Sequence, residues 1–157
     1  MALILSGDTG PSFVQSAAMP TGSVIQTVNA TYAVQQSTTS STYTTTNLSA
    51  TITPISTSSK ILIIANIAAS TYGSSSVGGG LQIVRGSTVV CGSLSGTSYL
   101  LYTTTSEVNW PAILSALDSP ATTSPITYTV NMNAQSGQTI TQSNSNPSYL
   151  TLMEIHG

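Results

Sequence analysis

The sequence predicts an all-β protein, an antiparallel β-sandwich or jelly roll, on three observations. Apolar and polar residues alternate in short segments such as Leu48-Ser49-Ala50-Thr51-Ile52 and Ile126-Thr127-Tyr128-Thr129-Val130-Asn131-Met132, and a period of two marks a strand with one buried face. Gly, Pro, Asn and Ser clusters separate these segments with turn chemistry. No stretch from Ser23 onward carries a convincing helical pattern.

The length, 157 residues, fits one domain with a core of its own. Only 4% of residues are charged, against roughly 25% in ordinary soluble domains. Ser and Thr make up about a third of the chain, and threonine suits the outward positions of strands. Lys60 and Arg85 are the only basic side chains beside His156, and the net charge is −2. A nucleic-acid site needs several cations against phosphates, and docking on an anionic membrane needs a polybasic patch, so neither partner is expected. Cys91 stands alone. That excludes an intrachain disulfide and a cysteine zinc site, and leaves a small apolar strand residue. Met1-Ala2-Leu3-Ile4-Leu5 has no basic flank and runs straight into Ser6-Gly7-Asp8. It is not read as a signal peptide, and the chain is expected to be an intracellular product.

Residues 1–22 read as an N-terminal arm and 23–157 as the sandwich. Leu3, Ile4 and Leu5 form an apolar tip, a turn-rich hinge follows, and Phe13 and Val14 lie in a segment ending at Pro20-Thr21-Gly22. The arm is expected to dock on a partner or a neighbouring subunit; the alternative is one more edge strand. Ser23 to Tyr32 is the first strand. Gln35 to Thr46 reads as a hairpin or long loop with an outward strand near Thr42–Thr46, and Leu48 to Thr53 as a half-buried strand ended by Pro54.

Lys60 to Ala69 is the longest apolar run, with isoleucine at four positions. Both of its faces are apolar, so both require cover. Ser70 to Gly80 reads as a flexible loop with no phosphate-binding spacing. Leu81 to Arg85 and Thr88 to Cys91 form a hairpin about Gly86-Ser87. Gly92 to Ser106 holds Tyr99-Leu100-Leu101-Tyr102 as a strand or an aromatic loop. Glu107 to Asp118 has mixed periodicity, and Pro111 argues against a central strand. Pro125 to Asn133, Thr139 to Thr141 and Ser148 to Ile155 complete eight or nine strands. The last again has two apolar faces, with Leu150 and Leu152 on one and Tyr149, Met153 and Ile155 on the other. A two-sheet sandwich covers one face. Another copy of the chain is the expected cover for the second, which makes Tyr149, Met153 and Ile155 the expected subunit interface.

Chemistry-bearing residues are few. A hydrolytic triad needs a positioned base, and His156, beside the C-terminus, is the only histidine. Glu107 and Asp118 read as solvated loop charges rather than a glycosidase pair. Tyr99, Tyr102 and Trp110 are either an exposed aromatic patch or packing residues. The Asn29 and Asn47 sequons are what so threonine-rich a chain gives by chance. Glu154 shares its parity with Leu150 and Leu152. A carboxylate on a buried face needs a partner, and Arg85 is expected to supply it, within or between subunits. No catalytic residue, metal or cofactor is expected.

The landmarks Thr53-Pro54 through Ser58-Ser59-Lys60-Ile61-Leu62-Ile63, Leu81-Gln82-Ile83-Val84-Arg85-Gly86-Ser87-Thr88, Leu117-Asp118-Ser119-Pro120-Ala121-Thr122-Thr123 and Leu150-Thr151-Leu152-Met153-Glu154-Ile155 follow Pro20-Thr21-Gly22-Ser23-Val24 in order. Together, over about residues 20–157, they resemble a domain of tailed-bacteriophage structural proteins, notably aquatic and cyanobacterial ones, seen at fibre tips and as small free-standing virion proteins. The resemblance implies a jelly-roll-like homotrimer without catalytic residues. With no fibre shaft before the domain, it implies a non-enzymatic virion protein that decorates and cements a capsid, bound to the major capsid protein. The alternative is a tail-fibre knob, attached to tail proteins, whose loops at Ser70–Gly80 and Gly92–Ser106 touch host glycans.

Overall fold

The computed structural model describes residues 19–73, 77–92, 99–102 and 107–157. The arm residues Leu3, Ile4, Leu5, Phe13 and Val14 lie outside the described residues. Eleven strands run in chain order as β1 (Val24–Tyr32), β2 (Gln36–Thr38), β3 (Thr44–Ile52), β4 (Lys60–Tyr72), β5 (Val77–Arg85), β6 (Thr88–Cys91), β7 (Tyr99–Tyr102), β8 (Val108–Asp118), β9 (Ile126–Ser136), β10 (Gln138–Thr141) and β11 (Ser148–Ile155). Among the described residues the one helical element is a 3-10 turn at Ser143–Ser145. All strand pairs are antiparallel, in two sheets that form a sandwich. The first sheet is ordered β1-β11-β4-β10-β2, with β8 along the other edge of β4. The second is β3-β9-β5-β6, with β7 also on β5.

The apolar run from Lys60 is the hub. β4 is 13 residues long and pairs with β8, β11 and β10. Its inward residues Ile61, Ile63, Ala65 and Ile67 are completely buried. They pack with Leu150 and Leu152 of β11 and, across the sandwich, with Leu48, Ile52, Leu81, Ile83, Tyr128 and Val130. Each large side chain so buried contributes on the order of 1.5–3 kcal/mol, so this layer carries most of the fold's favourable energy.

Three sequence expectations change at the strand level. The segments around Thr42–Thr46 and Leu48–Thr53 are one strand, β3, bulged at Asn47, whose φ is 62°. The bulge turns Thr46 inward, where its hydroxyl donates to the Val130 carbonyl at 2.8 Å. The expectation that Pro111 does not sit in a central strand agrees with the structure: it lies in the edge strand β8, opposite Ala68. It is tolerated because β8 is an edge strand paired only with β4, so its missing N–H faces no second ladder. Eleven strands replace the expected eight or nine.

The expected loop at Ser70–Gly80 is also largely strand: β4 continues to Tyr72 and β5 begins at Val77. The glycines there are required by close packing. A Cβ on Gly79 would lie 1.8 Å from Thr139 Oγ1 and 2.8 Å from the Asn133 carbonyl, and one on Gly80 would lie 2.6 Å from the Tyr43 hydroxyl.

Candidate interaction surface

The outward residues of β4, β8 and β11 build one surface. The ladder aligns Met153 of β11, Leu62 of β4 and Leu117 of β8 in one row. Two rows on, it aligns Tyr149, Asn66 and Ile113, with Thr151, Ile64 and Ser115 between. Ile113 is 70% exposed, Leu117 55%, Tyr149 43% and Ile64 36%. Leu62, Met153 and Ile155 beside them are half-buried. The two-faced strands seen in the sequence therefore leave an apolar row, Met153, Leu62 and Leu117, on the outside of the sheet, extended by Ile64, Ile113 and Tyr149 with Thr151, Ser115 and Asn66 between them. Scattered exposed apolar residues are ordinary, whereas a contiguous patch marks an interaction site. The expected interface residues Tyr149, Met153 and Ile155 all lie on this outer side, and β8 adds Ile113 and Leu117. The sequence signal for β8 was its own period of two, obscured by Pro111.

On the inner side, the end row of the same sheet runs Gln26, Glu154, Ile61, Asp118 across β1, β11, β4 and β8. Glu154 is fully buried, as its parity implied. Its partner is not Arg85. The Gln26 amide donates to one oxygen and the Ile55 N–H to the other at 2.8 Å. Arg85 pairs instead with Asp118, through Nε to Oδ2 at 2.6 Å and Nη2 to Oδ1 at 3.4 Å. The Tyr128 hydroxyl donates to Asp118 Oδ2 at 2.8 Å and the Ser119 N–H to Oδ1 at 2.9 Å. The two carboxylates flank Ile61 on opposite sides. Arg85 and Tyr128 are cross-strand partners in the opposing sheet and face the β8 side of that row, so the crossing of the sheets gives Arg85 to Asp118.

Burial acts to raise the Asp118 pKa, but the hydrogen bonds from Arg85 and Tyr128 outweigh it and hold the carboxyl below its usual value. Glu154 follows the same balance, its pKa lowered because donors including Gln26 and the Ile55 N–H outweigh desolvation. Tyr128 is raised by burial and by the adjacent Asp118. A carboxylate with a depressed folded pKa contributes stability that is present above its unfolded pKa and lost as pH falls through the folded one. The urea midpoint is therefore expected to hold level from pH 7 down to about pH 5 and to fall below about pH 4, near the unfolded carboxylate values. Glu154→Gln should flatten part of that fall. An unchanged midpoint down to about pH 2.5 would show that neither network is needed.

Trp110 packs against the core, and the side chains of Tyr99 and Tyr102, the other residues of the expected patch, lie outside the described residues. Cys91 donates its thiol to the Ser115 carbonyl at 3.5 Å, across to β8. Glu107 is within 3.1 Å of the Ser143 hydroxyl, and Asp118 serves Arg85, so the two carboxylates have separate partners. The backbone at His156 is paired: the Gly22 N–H donates to the His156 carbonyl at 2.7 Å and the His156 N–H to the Ser23 carbonyl at 2.8 Å. Among the described residues no helix is long and apolar enough to cross a membrane.

No protein-family model and no curated protein matches the sequence. Among solved structures the chain is similar to the D431N mutant VP2 protein of infectious bursal disease virus in its derived T=1 particles, at 16% identity and a TM-score of 0.45, over 84% of this chain and 37% of that one. It is also similar to the structure of the infectious bursal disease virus Gx strain, at 16% identity and a TM-score of 0.42, over 84% of this chain and 38% of that one. The chain spans little more than a third of the length of those proteins.

Proposed function

We propose that this chain is a non-enzymatic structural subunit of a virion that assembles with copies of itself through the outer face of β11, β4 and β8, and that it decorates and cements a capsid shell. The observation that carries the self-assembly is the apolar row of Met153, Leu62 and Leu117, with Ile64 and exposed Ile113 beside it, on a sheet whose other face already forms the core. Covering such a band with a second copy satisfies it by symmetry. The near absence of charge fits close packing of identical subunits, because single-sign charge would repel in an array. The number three and the capsid location come from the phage-protein resemblance. In this reading residues 1–22 dock on the major capsid protein. Each trimer then holds several shell subunits at once, and multivalent contact slows shell opening.

Leu117→Asp tests the interface, because position 117 is outward and the substitution leaves the core untouched. Native mass spectrometry and sedimentation are expected to give a trimer for the parent chain and a folded monomer for the variant. A parent chain that stays monomeric at about 100 μM would remove the interface, since a stable association at micromolar affinity or better would be populated there. The shell role is tested separately by copy number in purified particles. A number comparable with the major capsid protein is expected, and a small fraction of it would place the chain on the tail.

A further inference from the structure

β10 and β11 are two halves of one interrupted strand. Both run antiparallel along the same edge of β4, β10 against Ala69–Tyr72 and β11 against Lys60–Asn66. Between them the segment from Gln142 to Pro147 leaves the ladder opposite Ile67 and Ala68. The Ala68 N–H at the gap is taken by the Ser148 hydroxyl at 3.1 Å. The excursion is held in an uncommon backbone: Gln142, Asn144 and Ser145 have φ values of 52°, 55° and 59°. Left-handed conformations at non-glycine residues persist only where the surroundings impose them, and they concentrate at ligand clamps. Here the surroundings are β8, because the Ser143 hydroxyl lies 2.9 Å from Asn109 Oδ1 and 3.1 Å from Glu107 Oε1.

The excursion thereby forms one wall of a cavity of about 490 Å³ on the outer face of the sheet, beyond the Leu62–Met153–Leu117 row. Asn66, Asn109, Asn144, Asn146 and Tyr149 line it, and none of the lining residues is charged. Ser143 and Asn144 hold the excursion in place: the Asn146 Nδ2 donates to the Ser143 carbonyl at 3.1 Å and the Asn144 N–H to Gln35 Oε1 at 3.0 Å. That leaves capacity facing the cavity. Among the described residues the Asn66 amide makes no hydrogen bond, and Asn109 uses only its oxygen. The Tyr149 ring is 43% exposed at the edge.

These groups define the ligand chemistry. An anion would need cationic donors and a cation would need a carboxylate in the lining, and it has neither. A purely apolar ligand would bury amides without partners. Amides present a donor and an acceptor side by side, which matches neighbouring hydroxyls, and an aromatic edge suits the C–H face of a ring. The volume lies in the range of small-molecule sites, roughly 300–1,000 Å³. We propose that this cavity binds an uncharged sugar residue of a glycan. The site is built within one chain, but Asn66 and Tyr149 share a row with Ile113 of the proposed self-assembly face, so a copy docked there would shield it and the monomeric variant gives the direct test. None of the cavity's lining residues belongs to Ser70–Gly80 or Gly92–Ser106, the segments to which the alternative reading gave glycan contact.

The test is a titration of the full chain with methyl glycosides of glucose and galactose, with N-acetylglucosamine, and with N-acetylneuraminic acid as a charged control, followed by amide NMR. Saturable shifts confined to residues around Asn66, Asn109 and Asn144 are expected with at least one neutral sugar. Asn66→Ala removes an exposed amide with no described partner, so folding is preserved, and affinity is expected to fall about tenfold on loss of the paired contacts. The monomeric Leu117→Asp variant, in which no copy covers that face, is expected to bind at least as tightly as the parent. No saturable shift with any neutral sugar, tighter binding of the charged control, affinity unmoved by Asn66→Ala and by Asn109→Ala, or loss of binding in Leu117→Asp would each overturn the assignment.

Discussion

Asp118→Ala is expected to lower the unfolding free energy by about 3 kcal/mol, well beyond the loss of an exposed ion pair. Asp118 accepts from Arg85 twice, from the Tyr128 hydroxyl and from the Ser119 N–H. Its side chain is largely buried and Tyr128 is completely so. Truncation strands a cation and a buried hydroxyl together, and stranding partners is what makes such losses large. For a domain of this length the shift in Tm is about 6–12 °C, at roughly 2–4 °C per kcal/mol. Asp118→Asn keeps one acceptor oxygen and should lose less. Replacing Arg85 and Asp118 together by apolar residues should recover much of the loss, because an unpaired ion no longer remains. Urea denaturation of the three variants measures this. If Asp118→Ala lost under about 0.5 kcal/mol, the pair would be no more than a solvent-shared surface contact.

Gly79→Ala is expected to destabilise by about 3 kcal/mol, the upper end of overpacking. The added methyl would sit 1.8 Å from Thr139 Oγ1 and 2.8 Å from the Asn133 carbonyl oxygen. Thr139 is fully buried and stiff at χ1, and Asn133 contributes backbone held in β9, so neither can withdraw cheaply. Gly79→Ala combined with Thr139→Ala is expected to recover part of the loss and not all, since the carbonyl clash stays. Gly86→Ala is the control: its φ of 58° imposes strain but nothing lies within 4 Å of the added carbon. A midpoint for Gly79→Ala equal to that of the parent would mean that the two sheets are not in contact at this end.

What lay open in the sequence was decided by neighbours along the chain. Ile126 to Met132 and Leu48 to Ile52 alternate, and the folded strands put Leu48, Ile52, Tyr128, Val130 and Met132 in the core. The Gly86-Ser87 turn joins β5 to β6, with Arg85 opposite Thr88. Parity placed Glu154 on the buried face and Tyr149, Met153 and Ile155 on the outer one. A period of two is a property of the strand itself, so it can be read without knowing what the strand touches.

What only the tertiary structure decided involves residues far apart in sequence. Glu154 and Asp118 occupy equivalent places on either side of Ile61, and no local pattern distinguishes them as partners for Arg85. The relative position of the two sheets does. The apolar band likewise needs β8 beside β4 before Ile113 and Leu117 join Leu62 and Met153. The amide-lined cavity needs the excursion after β10 to reach Asn109, more than thirty positions earlier in the chain. Strand periodicity reports which face a side chain takes. Which face it meets is fixed by register and sheet crossing, and those are set by the packing of the whole chain.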